Sequence, residues 1–167
     1  MKIAGKDFGY YLNIIKLPLI VYLLALVVFG FLLTLFAGLF SVLLVPLIFV
    51  VVAGYVGWAT VKKYGGGLTQ ATVSGIFFGL IDGILSVVLL LGMLFLVQYA
   101  IGPSGSPPPA NLTEEGAKVL PVIETLISRL IQIIALAGIV IIPVVSTLVA
   151  AVLSLVGGLL AKTTTKK

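Results

Sequence analysis

Long apolar runs fill most of the chain, and the polar residues between them divide it into segments. The first run, residues 17–61, contains no Asp, Glu, Lys or Arg. An α-helix rises about 1.5 Å per residue and the hydrocarbon core of a bilayer is about 30 Å thick, so one crossing takes roughly 20 residues. The run therefore predicts two membrane-spanning helices, 17–37 and 42–61, which separate at the glycine and serine of residues 37–41.

A second apolar run and a polar loop follow. The third span is predicted at 72–97, and the chain enters it through a flexible hinge at 62–71 that contains the sequence KKYGGG. After this span, the prolines, glycines and serines of residues 102–117 cannot continue a helix. They predict a solvent-exposed loop.

The last apolar run, residues 119–161, is long enough for two crossings, and its charged residues lie in its first half. At 100° per residue, the polar and small residues of 118–161 fall on approximately one stripe of a single helix, which we expect to be kinked at Pro143. The pattern predicts an amphipathic helix at 118–134 and a fourth span at 136–160. The stripe fits either the membrane interface or the wall of an aqueous vestibule.

Charge placement favours a single crossing for this last run. Basic residues lie before the first span, in the hinge and at the end of the chain, whereas the loop 102–117 carries Glu114 and Glu115. By the positive-inside rule, both termini and the hinge are predicted to be cytoplasmic and the loop 102–117 to be outside. An odd number of crossings must then follow the loop. The basic residues concerned are Lys2, Lys6, Lys16, Lys62, Lys63, Lys162, Lys166 and Lys167.

The predicted fold is thus an all-α integral membrane protein of the cell membrane. Its four transmembrane helices form an antiparallel bundle and a single membrane domain, 1–167. The last helix is long and kinked, and the amphipathic segment precedes its membrane-crossing part. With only short loops between the spans, stability must come from helix contacts within the bilayer.

Composition removes many kinds of function. The chain is 61% hydrophobic and 9% charged, and it contains no cysteine and no histidine. A soluble globule needs more polar surface, while thiolate nucleophiles, the usual zinc ligands and imidazole catalysis need the two missing residue types. We therefore expect no enzymatic activity, no cofactor and no metal site. The net charge of +5 comes from lysines beside the spans, where they set orientation, so nucleic acid is not expected as a partner.

One acidic residue, Asp82, falls inside a confidently bounded span. A charged side chain at the bilayer centre costs at least about 2.5–3.5 kcal/mol, so Asp82 is expected to face protein or water, or to be protonated. It is either a proton or ion site or a hydrogen-bonded packing residue. We expect the Asp82 carboxyl group to accept a hydrogen bond from a hydroxyl at a similar depth in the membrane, that of Ser154, Tyr55 or Ser86. Arg129 is an ion-pair partner only if the last span starts at the beginning of its apolar run.

Small residues repeat at four-residue spacing on the face that carries Asp82, and a matching series lies on the last span. Such spacing lets two helix backbones approach closely in a membrane. The predicted packing residues are Gly75, Gly79, Gly83 and Ser86 on the third span and Ala150, Ser154 and Gly158 on the last.

The outer loop carries the sequence Asn111-Leu112-Thr113, which matches an N-glycosylation sequon. Because the loop is assigned to the outside, Asn111 is a candidate glycosylation acceptor. An ordinary polar loop is the alternative interpretation.

Together these features predict a non-enzymatic polytopic membrane protein, a structural or accessory subunit that packs through small-residue helix faces. Besides the lipid bilayer, its expected partners are further copies of itself or other membrane subunits. The alternative is a small oligomeric ion channel or proton-coupled transporter that uses the Asp82 face. The spans show no convincing inverted repeat or interrupted helix pair, which lowers this alternative.

Overall fold

A computed structural model describes residues 2–35, 39–101 and 114–164, and this part of the chain is nearly all helical. Four of its helices are long and apolar enough to cross a membrane, which confirms the prediction of a helical chain with four apolar helices of that length. The elements are β1 (Lys2–Ile3), β2 (Lys6–Asp7), α1 (Phe8–Leu35), α2 (Leu39–Lys62), α3 (Leu68–Ile101) and α4 (Glu114–Thr164).

The helices extend beyond the predicted spans, mainly at their N-terminal ends. Helix α3 begins at Leu68, one turn before the predicted residue Thr72. Helix α4 begins at Glu114, so the last residues of the predicted loop 102–117 are helical.

Two predicted features lie partly or wholly outside the described residues. The predicted break at 37–41 falls where α1 ends at Leu35 and α2 begins at Leu39, with residues 36–38 outside the description. Residues 102–113, which include Asn111 and most of the predicted outer loop, also lie outside it.

A short β-hairpin precedes α1, and the apolar pattern did not predict it. Lys2 pairs with Asp7 and Ile3 with Lys6. The turn residues between the strands, Ala4 and Gly5, have φ angles of 49° and 81°, the left-handed conformation that two-residue hairpin turns require and that glycine adopts without strain.

Two hydrogen bonds hold this hairpin to the helices. The Tyr11 hydroxyl donates to the backbone oxygen of Ile3 at 2.7 Å, and Gln70 Nε2 donates to that of Ala4 at 2.9 Å. The Tyr10 hydroxyl donates to the Tyr64 oxygen in the link between α2 and α3. The N-terminus and this link therefore lie at the same end of the helices.

The chain divides into two compact units. The first comprises Met1–Gly83 and Val144–Lys167, and its described residues include every buried side chain of the described chain. Its core joins all four helices, and three aromatic rings lie at its centre: the Phe78 ring is 5.6 Å from that of Tyr22 and 5.8 Å from that of Phe49. The core residues are Ile14, Ile15, Tyr22, Val52, Ala53, Val56, Phe78 and Ala150.

The second unit comprises Ile84–Pro143, the later part of α3 and the earlier part of α4. None of its described side chains is buried. Close contact within it is seen at Gly138, where an added Cβ would lie 3.0 Å from the Leu90 side chain.

Candidate functional site

Helices α3 and α4 come into backbone contact in the first unit at small residues. A Cβ added at Gly75 would lie 2.5 Å from the backbone oxygen of Ala150, and one added at Gly79 would lie 2.5 Å from that of Ser146. A Cβ at Gly158 would lie 3.0 Å from the Ala71 Cβ. The first two positions leave no room for a side chain.

Helix α2 reaches the same region of α4 through two further glycines. A Cβ added at Gly57 would overlap the backbone of Ser154, and one added at Gly157 would overlap the backbone oxygen of Gly54. The sequence pattern assigned no contact to Gly54 or Gly157. Their spacing could have indicated this contact. Gly54 lies three residues before Gly57 on α2, and Gly157 lies three residues after Ser154 on α4, so each shares a helix face with that residue.

The other two predicted packing residues are placed differently. Gly83 is buried at the end of the first unit's portion of α3. Ser86 is only half-buried and belongs to the second unit.

Asp82 is buried on α3, with 6% of its surface exposed. The Ser146 hydroxyl of α4 donates to its Oδ2 atom at 2.5 Å, the short end of the range for O–H···O hydrogen bonds. Its other carboxyl oxygen, Oδ1, is also buried and has no hydrogen-bond partner among the described residues. Half of the carboxyl group is therefore unsatisfied.

A third polar group faces this carboxyl from α1. The Tyr22 hydroxyl lies close enough to Asp82 for the two groups to interact electrostatically, but it does not hydrogen-bond to Oδ1. Tyr22 itself is 3% exposed. Sequence reasoning missed this residue, but a tyrosine in the middle of an apolar span was a usable signal, because a buried phenol needs a partner for its hydroxyl.

The hydroxyl partners predicted for Asp82 are bonded or placed elsewhere. Ser154 donates to the backbone oxygen of Ala53 at 2.7 Å, and Tyr55 is exposed, with its ring stacked on that of Trp58. Arg129, like Ser86, belongs to the second unit, where its side chain is exposed.

The contact register of α3 and α4 shows why the depth estimate selected the wrong serine. Gly75 lies against Ala150 of α4, and Gly79, one turn later, lies against the earlier residue Ser146. Asp82 follows Gly79, so it lies nearer to Ser146 than to Ser154, and Ser146 also belongs to the polar stripe of α4.

Other buried hydroxyls in the first unit form complete pairs. Thr60 Oγ1 of α2 donates to the Val56 oxygen at 2.7 Å and lies 3.1 Å from Ser74 Oγ of α3. Ser74 in turn donates to the Gln70 oxygen at 2.8 Å. These groups tie two helices together, and they contrast with Asp82 Oδ1, the buried side-chain oxygen without a partner in the described residues.

The surroundings of Asp82 limit its chemistry. Among the described residues, no group of three or more His, Cys, Asp or Glu side chains is placed to hold a metal ion. A divalent cation prefers several carboxylate or carbonyl oxygens, so one carboxyl group is a poor site for it. A buried carboxyl with one open oxygen can instead exchange a proton or accept a single positive charge.

A separate groove of about 320 Å³ opens between α2 and α4 in the first unit. Its walls include Val50, Gly54, Trp58, Leu153 and Gly157, and they carry no charged side chain. The groove therefore offers no ligand for an ion, and it does not include Asp82.

Comparisons with protein families, with curated proteins and with solved structures found no match to this chain.

Proposed function

We propose that the protein is a non-enzymatic multi-pass membrane protein that serves as a structural or accessory subunit, in a homo-oligomer or in a larger membrane complex. The main support for this proposal is the exposure of the second unit. The unit is rich in apolar residues, and none of its described side chains is buried. Lipid alone or a partner must cover this surface.

Helix length favours a partner for part of it. The apolar segment Ser128–Thr164 of α4 has 37 residues and is about 55 Å long, nearly twice the roughly 30 Å of a hydrocarbon core. In the 18-residue apolar window of this segment only 11% is buried within the chain, against 28% to 33% in the corresponding windows of the other three spans. A strong tilt or a kink at Pro143 shortens its reach, and contact with another subunit covers apolar surface that lipid does not.

The proposed membrane arrangement is an antiparallel bundle with both termini cytoplasmic and the loop 102–117 outside. Support for the antiparallel direction comes from the contacts of α3 with α4, since Gly75 lies against Ala150 and the later residue Gly79 against the earlier residue Ser146. The hairpin with Lys2 and Lys6 is bonded to the region of the α2–α3 link, which follows Lys62. Basic residues at one end support the cytoplasmic side for that end.

Disulfide cross-linking tests the subunit proposal directly, because the natural chain has no cysteine. Leu136→Cys, at an exposed position of the second unit, is expected to cross-link to another copy in native membranes if the protein is a homo-oligomer. Val51→Cys, which is equally exposed on α2 of the first unit, is the matched control and is expected to remain uncross-linked. In a complex with different subunits, the native mass in mild detergent exceeds that of the chain alone.

A monomeric mass in lipid nanodiscs, together with no cross-link at Leu136, contradicts the subunit proposal. Equal cross-linking at both positions also counts against it, because collisions between freely diffusing copies produce that result.

The open oxygen of Asp82 favours a second candidate, a small oligomeric channel or proton-coupled transporter. A carboxyl group that exchanges protons or ions within the membrane is expected to control flux. Purified protein in liposomes then conducts protons or cations, and Asp82→Asn removes the flux while the variant retains its fold. Absence of flux from the natural protein, or unchanged flux in the variant, rules out this candidate.

A further inference from the structure

We infer that Asp82, together with Ser146 and Tyr22, forms a binding site for one monovalent cation, either a proton or an alkali metal ion such as Na⁺. This inference concerns occupancy alone. It requires neither an oligomer nor ion flow through the protein, so it stands or fails separately from the subunit proposal, whereas the channel or transporter candidate requires it.

The charge balance of the three membrane helices around Asp82 leads to this inference. Between residues 17 and 61, which cover most of α1 and α2, the sequence has no Asp, Glu, Lys or Arg. Asp82 is the only such residue of α3, and residues 130–161 of α4 contain none. An ionised Asp82 would therefore have no positive side chain beside it at its depth.

A buried carboxylate without a compensating charge is costly in a low-dielectric environment. The wall here is apolar, since the Phe78 ring, one turn before Asp82 on α3, packs against the rings of Tyr22 and Phe49. A positive charge bound at the carboxyl group removes most of this cost. An ionised Asp82 therefore requires one bound positive charge.

The hydrogen bonds locate that cation. Oδ2 already accepts the Ser146 hydroxyl, so the free position is at Oδ1. The Tyr22 hydroxyl on α1 lies near the carboxyl and would supply a further oxygen, as a ligand or as an acceptor for a bound proton. The hydroxyl of Ser146 provides a third oxygen beside the carboxyl.

The number of acidic groups sets the charge of the ligand. One carboxylate balances one positive charge, and no second acid lies with it in a metal-binding group among the described residues. A proton and Na⁺ both meet this requirement. Divalent cations do not, because their sites in proteins combine several oxygen ligands that include more than one acid.

Infrared difference spectroscopy distinguishes the two cations. The spectrum of Asp82→Asn is subtracted from that of the natural protein, both in lipid, so that Asp7, Glu114, Glu115 and Glu124 cancel. Buffers from acidic to alkaline pH contain either Na⁺ or choline at equal ionic strength. A carboxylic-acid band that titrates identically in both salts identifies a proton, whereas loss of the band in Na⁺ but not in choline identifies the metal ion.

An Asp82 carboxylate band in choline buffer throughout the pH range of the folded protein overturns the inference, because neither cation is then bound. Ser146→Ala supplies a second test that keeps Asp82. Loss of a hydrogen bond to a charged group is expected to change the half-saturating cation concentration about tenfold. Ser154→Ala, at a buried serine of the same helix that bonds to Ala53 instead, is the control and should leave this concentration unchanged.

Discussion

The two units are built from the same kind of apolar helix, yet they use apolar residues in opposite ways. In the first unit, Phe78 is fully buried and its ring contacts two other aromatic rings. In the second unit, Phe95 lies on the same helix with 69% of its surface exposed. The sequence of α3 is apolar at both positions, and composition alone does not distinguish them.

The difference shows what organises a membrane core. Apolar side chains gain little by leaving lipid for the protein interior, because lipid tails are as apolar as they are, and so close backbone contact and interhelical hydrogen bonds decide which residues pack. The first unit has close backbone contacts at Gly57 and Gly75, and it has an interhelical hydrogen bond between Ser146 and Asp82. A glycine of the second unit, Gly92, has no neighbour that an added Cβ would meet.

Truncating one phenylalanine in each unit gives the largest expected contrast. Phe78→Ala is expected to reduce the free energy of unfolding by about 3–5 kcal/mol, because it leaves a cavity between packed rings. Phe95→Ala is expected to change it by less than about 0.5 kcal/mol. Unfolding in mixed detergent micelles, where the chain is dilute and monomeric, measures both.

The same pair of variants also tests whether a partner covers the second unit. If one does, Phe95→Ala should weaken association in lipid while leaving monomer stability unchanged. Similar losses of monomer stability in the two variants would show that both units are equally packed.

The large features were predictable from the sequence because a bilayer imposes them. Helix existence follows from apolar runs of sufficient length: α2, α3 and α4 each contain one predicted span, and α1 covers the described part of the first. The small-residue spacing also named residues such as Gly75 and Ser154 that lie at close helix contacts in the first unit. Both signals are periodic and extend over many residues, so an error at one position does not remove them.

The partners of Asp82 were not predictable with the same accuracy. Choosing Ser146 over Ser154 needs the contact register between α3 and α4, and apolar patterns do not fix that register. Tyr22 comes from a helix distant in sequence, and nothing in the pattern of α1 fixes the direction of its side chain. The hairpin at Lys2–Asp7 was missed because it is short, polar and independent of the apolar runs.

Adding one methyl group tests the role of backbone contact in the two units. Gly57→Ala places its Cβ against the backbone of Ser154, which cannot move aside as a flexible side chain does. We expect it to lower the free energy of unfolding by about 3 kcal/mol, as overpacking of a tight core does. Gly92→Ala, with no atom near its new Cβ, should be neutral or stabilise the helix by up to about 1 kcal/mol. Equal effects of the two variants, measured in detergent unfolding, would remove the distinction between the units.

Removing one serine hydroxyl from each unit gives the smallest expected contrast. In Ser154→Ala, α4 loses the donor that bonds to the Ala53 oxygen of α2, and interhelical hydrogen bonds in membranes contribute about 0.6 to 2 kcal/mol. Ser128→Ala is the matched change on the same helix in the second unit, where the serine is exposed. It should alter stability by less than about 0.5 kcal/mol.

The loss of stability caused by Ser154→Ala should disappear in a variant that already carries Gly57→Ala, because that substitution pushes the two helices apart at Ser154. Additive losses in the double variant would mean that the hydrogen bond survives the displaced backbone, and that close approach and hydrogen bonding stabilise the first unit independently.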